Sequence, residues 1–349
     1  SCGDPGKGQA STVGAAGLTV PGAAGETNNL LENTSLQLAS IVLADGPAGL
    51  RLHDEYQVGP DGQILARDFQ QSVEKGLFFQ KPDVPGATPY YQYCTAIPVG
   101  TLLAQTWNTD LIEEVGAAIG REMEEFQVTL WLAPGMNIHR DPLCGRNFEY
   151  YSEDPLLSGT IAAAMTHGVQ SLPGVGTTIK HFCCNNQEDN RMGSNSVVSQ
   201  RTLRELYLHS FEIAVKTSQP MSIMTSYNSV NGVHTANSYD LITKTAREEW
   251  GFAGVVMTDW GTTASYGGSS AAVCMQAGND LIMPGTKSDL ENIRLALEGK
   301  GDIKLPMKEM RKCIAHLIHI ILSSNRYENC QSYTSQFATL HPFVQVTRK

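Results

Sequence analysis

The stretch GVVMTDWG, residues 254–261, decides the fold, and its apolar run ends close to a charged residue. The apolar residues are consecutive rather than alternating, which is typical of a parallel strand that is buried on both faces. Asp259 and Trp260 follow this run almost directly. A carboxylate in that position is costly unless it caps a helix, pairs with another group or takes part in chemistry.

The same pattern, an apolar run followed by polar or glycine-rich residues, recurs along the chain. It is found at IVLADGPAG (41–49), TLWLAPGMN (129–137), TTIKHF (177–182), MSIMTSYN (221–228) and DLIMPG (280–285), and TAIPVG (95–100) is a further candidate strand. Helical patterns lie between these runs, at 158–172, 200–218 and 238–251. The alternation of strands and helices predicts an α/β fold with right-handed crossovers.

A (β/α)8 TIM-type barrel, irregular or incomplete at the N-terminus, fits this alternation best. A doubly wound open sheet is the alternative. It lacks support because GVGTTI (174–179) has no third glycine and precedes a strand rather than a helix. We assign residues 1–325 to the barrel domain and 326–349 to a C-terminal tail or linker.

Composition excludes several classes of function. The chain has 349 residues and a formal charge of −10, with no Lys/Arg cluster to bind nucleic acid. Its longest apolar run, IAHLIHIIL (314–322), is too short for a membrane span. The eight cysteines form no CxxC pair, so we expect no zinc ribbon or redox motif and reduced thiols. Without a visible signal peptide, we expect a cytoplasmic protein.

Polar side chains collect at the predicted strand ends, which in a barrel form one catalytic rim. They are Asp45, Asn137, Lys180 with His181, Tyr227 with Asn228, and Asp259 with Trp260. Charged hydrogen-bonding groups beside aromatic rings suit a neutral ligand with many hydroxyls, such as a sugar.

Each of these residues also has a purely structural interpretation. Asp45 can open a turn, Asp259 can cap a helix, Lys180 can extend its amine to solvent, and His181 and Tyr227 can be core residues. All of these interpretations must hold together for the functional hypothesis to fail. The clustering at strand ends therefore favours a functional site.

Five motifs, in order, resemble the barrel domain of glycoside hydrolase family 3, with β-glucosidases as the most similar type. They are LADGPAGLRL (43–52), LAPGMNIHRDPLCGRNFEYYSEDPLLSG (132–159), KHF (180–182), MTSYNSVNGVHTANS (224–238) and VVMTDWG (255–261). The resemblance covers about residues 15–325. It implies a retaining exo-β-glycosidase that hydrolyses terminal β-D-glucosyl residues of small or oligomeric β-glucosides, and it implies no metal and no organic cofactor.

The resemblance also assigns roles to single residues. Asp259 is the implied nucleophile, to be kept ionised by cations and donors from Arg146, Lys180 and His181. Asp45 and its loop partner Arg51 are implied to bind the hydroxyls at the non-reducing end. The other implied sugar contacts are Arg146, Lys180, His181, Met224, Tyr227, which is also expected to hydrogen-bond the nucleophile, and the platform Trp260.

Two departures from the family qualify the prediction. The loop after KHF, CCNNQEDNRMG (183–193), is not the glycine- and histidine-rich loop of the N-acetylglucosaminidase subgroup. Most other members carry the acid/base glutamate on an α/β sandwich domain, for which we find no segment here. Glu149, Glu153, Asp154 and Glu188 are acidic candidates for the role within the chain, with loop salt bridges and helix caps as their simpler roles.

Three further hypotheses are open at this point. The chain can be a catalytically idle sugar-binding barrel or a β-xylosidase-type member of the same family. An unrelated barrel enzyme that binds phosphate is disfavoured because no glycine-rich phosphate loop follows the last strands. We expect glucosides to be preferred over xylosides, since Asp45 is suited to a ligand with a hydroxymethyl arm.

Overall fold

The computed structural model describes residues 19–27, 38–65, 84–263 and 268–328. The strands are β1 (Gly25–Glu26), β2 (Val42–Ala44), β3 (Glu55–Val58), β4 (Ile64–Leu65), β5 (Thr88–Tyr91), β6 (Leu130–Trp131), β7 (Gly176–Phe182), β8 (Asn195–Ser196), β9 (Ser222–Thr225), β10 (Ser229–Val230), β11 (Val233–His234) and β12 (Val255–Met257). The main sheet has the order β1-β2-β6-β7-β9-β12.

The α-helices are α1 (Gly100–Ala104), α2 (Thr109–Glu125), α3 (Pro155–Gln170), α4 (His209–Ser218), α5 (Ala271–Ala277), α6 (Lys287–Leu297) and α7 (Met307–Leu322). A short helical turn, Gln200–Thr202, and a π-helical segment, Leu203–Tyr207, precede α4. A second π-helical segment, Asp240–Glu249, lies between β11 and β12. No helix within the described ranges is long and apolar enough to cross a membrane.

The main sheet forms the wall of an irregular (β/α) barrel, as predicted. Its strands from β2 to β12 pair in parallel, and β1 joins β2 antiparallel. Leu281 extends the wall by one parallel bridge to Met257. All seven residues of β7 are buried, which explains why the apolar runs do not alternate.

Two helices outside the sheet approach each other closely through glycine. A Cβ on Gly168 of α3 would lie 2.2 Å from the Glu113 carbonyl oxygen of α2. The start of α3 is fixed by Asp154, whose side chain accepts hydrogen bonds from the first turn, and by Pro155 directly after it. This packing covers the outer face of the sheet near β6 and β7 with an apolar layer.

Some predicted elements differ from the structure. TAIPVG (95–100) is not a strand: residues 95–99 have no regular structure, and Pro98 cannot donate to a central ladder. DLIMPG (280–285) contributes one isolated bridge instead of a strand. Of the predicted helices, 158–172 is confirmed as α3, whereas 200–218 and 238–251 contain the two π-helical segments.

The six cysteines within the described ranges are free thiols, as expected. Cys2, Cys330 and most of the predicted tail lie outside these ranges. Tyr327, just past the predicted boundary, packs against the core, and its hydroxyl oxygen accepts a hydrogen bond from the Ala39 amide.

Candidate active site

The structure brings all nine predicted site residues to one cavity of about 400 Å³. They are Asp45, Arg51, Arg146, Lys180, His181, Met224, Tyr227, Asp259 and Trp260, and Ala24, Leu132, Arg191 and Met283 complete the lining. The cavity lies at the carboxyl ends of the parallel strands, where a barrel carries its reactive groups. Its size suits a small ligand such as a monosaccharide.

One side of the cavity is built around Asp45, the residue directly after β2. Its carboxylate contacts Lys180 Nζ at 2.9 Å and Arg51 Nη2 at 2.5 Å. Burial alone would raise the pKa of Asp45, but the charges of Lys180 and Arg51 outweigh it and lower the pKa to about 2. Asp45 is therefore ionised at every physiological pH and holds two cations in place.

The loop that carries Asp45 is tight. Gly46 has a φ of +119°, and a Cβ there would lie 2.0 Å from the Gly49 carbonyl oxygen. The Arg51 amide donates to the Asp45 carbonyl oxygen at 2.8 Å, which closes the loop and brings the Arg51 side chain back to the carboxylate. The turn-forming sequence DGPAG thus serves to position a charged pair rather than only to reverse the chain.

The opposite side of the cavity contains Asp259, whose carboxylate has few partners. Oδ1 accepts a hydrogen bond from the Trp260 amide at 2.6 Å. Oδ2 is buried and receives no hydrogen bond from any residue that the structure describes. The described residues directly after it, 260–263, are not helical, so Asp259 is not a helix cap. Burial raises its pKa even though Arg146 and Lys180 act to lower it.

His181, expected among the cations and donors around Asp259, lies between these two sides and is neutral, which leaves it the role of a donor. Burial and the charge of Arg146 hold its pKa well below the usual range. Its Nε2 atom lies 3.7 Å from Asp259 Oδ2. The side chain thus offers a neutral ring to the nucleophile candidate, and the positive charge comes from arginine and lysine.

Tyr227 lies beside Asp259, as expected, and has a further partner. Its hydroxyl donates to the Trp260 carbonyl oxygen at 2.8 Å, and its side chain also interacts with the Asp259 carboxylate. Burial, followed by the charge of Asp259, raises the pKa of Tyr227, so the hydroxyl stays protonated. The tyrosine therefore fixes the backbone beside Asp259 and forms a wall of the cavity.

Arg191 is a site residue that the sequence reasoning missed. Its guanidinium lies 4.6 Å from the centroid of the Tyr227 ring and pairs with Glu188 at 2.9 Å. It sits in a loop between β7 and β8, far from any strand end in sequence. Its one signal in the sequence is its charge within QEDNR (187–191), which carries no positional information.

Two predicted strand-end residues serve the backbone instead of the cavity. Asn137 exchanges hydrogen bonds with the main chain of His181, at 2.8 Å and 2.9 Å. Asn228 donates to the Cys183 carbonyl oxygen at 3.2 Å. Both amides hold the main chain at the end of β7, and Asn137 does so at His181 itself.

The acidic candidates for a proton donor have structural partners. Glu149 pairs with Arg146 at 2.5 Å, Glu188 pairs with Arg191, and Asp154 caps α3. Glu153 is exposed. Glu149 and Glu188 thus form the salt bridges, and Asp154 the helix cap, that are the simpler roles for such residues.

Comparisons with known proteins identify a family and several relatives. The family model described as the glycosyl hydrolase family 3 N terminal domain matches residues 19–320. A β-glucosidase of Ruminococcus albus is 45% identical over 237 residues, which are 66% of this chain and 25% of that protein. An exo-α-(1→6)-L-arabinopyranosidase of Bifidobacterium breve is 45% identical over 206 residues, covering 59% and 26%.

Among solved structures, β-glucosidase 3B from Thermotoga neapolitana in complex with glucose superimposes with a TM-score of 0.74 at 41% identity. The match covers 93% of this chain and 41% of that one. This chain therefore spans between a quarter and two fifths of the length of these relatives.

Proposed function

The chain belongs to glycosyl hydrolase family 3, and from that premise we propose that it is the catalytic barrel of a retaining exo-β-glycosidase that releases terminal β-D-glucosyl residues. The observation that supports this most is the carboxylate of Asp259. It is buried, its Oδ2 receives no hydrogen bond from the described part of the chain, and it lines a sugar-sized cavity. A group held in that state suits nucleophilic attack.

The proposed reaction has two displacements. Oδ2 of Asp259 forms a bond to the anomeric carbon while the bond to the leaving oxygen breaks and that oxygen receives a proton from a general acid. Water then attacks the same carbon, loses a proton to the conjugate base and releases Asp259. The charges of Arg146 and Lys180 oppose the rise in the pKa of Asp259 that burial causes, and so favour the ionised form that must attack.

The other side of the cavity is proposed to hold the sugar. Asp45, fixed by Arg51 and Lys180, offers a charged acceptor to hydroxyls at the non-reducing end. Trp260 and Met224 supply apolar surface for the ring. Beside Asp45 the sugar is bound through charge-assisted hydrogen bonds, and the chemistry takes place beside Asp259.

The proton donor is proposed to lie outside this chain, on an α/β sandwich domain. Two of the acidic candidates are held in ion pairs, since Glu149 Oε1 pairs with Arg146 and Glu188 with Arg191, although Glu149 Oε2 is buried without a hydrogen bond in the described residues. General acid assistance is typically worth about 10²–10⁴-fold. The chain alone is therefore proposed to cleave glycosides whose leaving groups need no proton, and to act poorly on cellobiose.

A second candidate is a glycosidase that acts on pentopyranosides. The arabinopyranosidase of Bifidobacterium breve, at 45% identity, favours it because the sugar in its name lacks a hydroxymethyl arm. A β-xylosidase type belongs to the same candidate, and an idle sugar-binding barrel is the non-catalytic hypothesis.

The free thiols of the described cysteines support a cytoplasmic location.

A leaving-group series on the 349-residue chain tests the proposal. We expect glucose to bind, dinitrophenyl β-glucoside and glucosyl fluoride to be hydrolysed, and cellobiose to be a poor substrate. Addition of a sandwich domain from a relative should improve cellobiose most. The Asp259→Asn variant is the matched control, because it preserves the shape of the site and should be inactive on every substrate.

Three results would count against the proposal. Glucose binding with no turnover of either activated substrate would favour the idle barrel. Good cellobiose turnover by the chain alone would place the acid within it, and Glu149 and Glu153 would be the first residues to replace. A preference for α-L-arabinopyranosides over β-glucosides would select the second candidate.

A further inference from the structure

A chain of buried hydrogen bonds lies behind His181, on the ring nitrogen that faces away from Asp259. The Tyr150 hydroxyl oxygen is 3.1 Å from His181 Nδ1. Asn185 Nδ2 donates to the same hydroxyl oxygen at 3.0 Å and to Glu188 Oε1 at 3.0 Å. Tyr150, His181 and Asn185 are all buried, so water does not compete for these contacts.

Glu188 and Arg191, at the far end of these hydrogen bonds, determine which atoms donate and which accept. Glu188 is paired with Arg191 at 2.9 Å, and a carboxylate only accepts hydrogen bonds. The Asn185 amide must therefore turn its NH2 group toward Glu188, and the same NH2 group reaches Tyr150. Because that bond occupies a lone pair of the hydroxyl oxygen, the proton of Tyr150 is free to be donated to His181 Nδ1.

The tautomer of His181 follows from this direction. A neutral imidazole has one N–H, and a ring nitrogen that accepts a hydrogen bond does not carry it. Nε2 therefore carries the hydrogen, and it is the nitrogen that lies 3.7 Å from Asp259 Oδ2. Burial raises the pKa of Tyr150 and lowers that of His181, so both keep the protonation states that this arrangement needs.

We propose that Tyr150 is a positioning residue for His181, with Asn185 and Glu188 setting its direction, so that a neutral ring presents Nε2–H to Asp259 and the sugar. The hydrogen-bond direction is independent of the reaction, whereas the effect on sugar binding rests on the proposed function. Four charged groups act on His181 from the surrounding elements: Asp259, Arg146, Lys180 and Arg191.

The hydroxyl of Tyr150 can be separated from the bulk of its ring. The ring lies edge-on to His181 with centroids 6.1 Å apart, and the Arg146 guanidinium lies 5.9 Å from its centroid. Tyr150→Phe keeps these ring contacts and removes the two hydrogen bonds of the hydroxyl, the one to His181 and the one from Asn185. Tyr151→Phe is the matched control, because Tyr151 is also buried but takes no part in the hydrogen bonds behind His181.

The experiment is ¹⁵N NMR of imidazole nitrogens in the 349-residue chain, with His181→Gln to assign the His181 signals. In the wild type we expect a protonated Nε2 and an unprotonated, hydrogen-bonded Nδ1, unchanged between about pH 5 and 8. In Tyr150→Phe we expect Nδ1 to shift to an unbonded position or to titrate within that range. We also expect the Kd for glucose to rise about tenfold, the effect of one buried hydrogen bond.

The outcomes separate this proposal from the proposed function. A proton on Nδ1 in the wild type would overturn it without any variant being made. His181 signals that are the same in Tyr150→Phe and Tyr151→Phe would also overturn it. If glucose fails to bind the wild type, the proposed function is at fault, and the NMR signals still decide the role of Tyr150.

Discussion

Two aspartates of the same cavity, Asp45 and Asp259, follow parallel strands of the same sheet and yet have opposite electrostatic states. Asp45 contacts two cations, which lower its pKa to about 2. Asp259 receives one backbone hydrogen bond, and burial raises its pKa. The two residues have the same type and similar places in the fold, and they differ in their ion pairing. The paired Asp45 is suited to holding a ligand, and the unpaired Asp259 is suited to attack.

Lys180 connects the two sides. Its amine contacts Asp45 directly at 2.9 Å and acts on Asp259 only through its charge. Since the amine is committed to Asp45, it does not reduce the nucleophilicity of Asp259 by a hydrogen bond. This division predicts that replacing the two aspartates will have different consequences, which the following experiments measure.

The largest expected effect is on turnover. Asp259→Asn should lower kcat on dinitrophenyl β-glucoside by about 10³-fold or more, because the covalent intermediate can no longer form. Binding of glucose should change little, since the amide keeps the shape of the side chain. Steady-state kinetics and calorimetric titration measure the two quantities, and a variant that kept more than about a tenth of the wild-type rate would remove Asp259 from its role.

Asp45→Asn should show the reverse balance. We expect the affinity for glucose to fall about 100-fold, since hydrogen bonds to a charged group are worth roughly 1.5–3 kcal/mol. The kcat at saturating activated substrate should fall far less than in Asp259→Asn. If both variants lost kcat and kept their affinity, the contrast between the two sides of the cavity would be wrong.

A smaller effect should appear in substrate choice. We predict that kcat/KM for an aryl β-glucoside exceeds that for the β-xyloside by roughly 100-fold, because a site built to bond a hydroxyl is left with unpaired polar groups by the analogue without it. Asp45→Asn should lower the ratio of kcat/KM for the glucoside to kcat/KM for the xyloside. Equal values for the two glycosides in the wild type would show that Asp45 does not contact the hydroxymethyl arm.

The smallest effects concern stability and its dependence on pH. Asp45 has a lowered pKa, so its contribution is present above its unfolded value of about 3.8 and is lost as the pH falls toward 2. Asp259 has a raised pKa, so its ionisation costs stability as the pH rises from 3.8 through the raised value. The two substitutions should therefore move the Tm in opposite directions at pH 7.

Thermal unfolding of the two variants between pH 3 and 7 checks this. Asp259→Asn should raise the Tm at pH 7 by about 1–2 °C, as expected for roughly 1 kcal/mol in a chain of 349 residues. Asp45→Asn leaves the buried Lys180 unpaired and should cost about 3 kcal/mol. Both differences should shrink toward pH 3, and a loss of Tm in Asp259→Asn at pH 7 would contradict the raised pKa.

The sequence predicts the barrel and much of the site because both depend on local patterns. Consecutive apolar residues identify β2, β7, β9 and β12, and the rule that strand ends meet brings Asp45, Lys180 and Asp259 together. Arg51, Arg146 and Met224 followed only from the resemblance to a family. The error at 95–100 arose because a short apolar run cannot be told from a strand by pattern alone.

Long-range features were not predictable in this way. Arg191 reaches Tyr227 only because the loop after β7 folds back, and the neutral state of His181 depends on burial and on Arg146. The Tyr150 contact joins residues 31 positions apart through side chains alone. Such contacts depend on packing between loops, which leaves no periodic signal in the sequence.

Covalent trapping shows whether Asp259 attacks the sugar. The chain is incubated with dinitrophenyl 2-deoxy-2-fluoro-β-glucoside, digested, and the labelled peptide is mapped by mass spectrometry. We expect one fluoroglucosyl group per chain, attached to Asp259, and none in Asp259→Asn. A label on another carboxylate such as Glu149, or hydrolysis of the parent glucoside without any trapped ester, would contradict it.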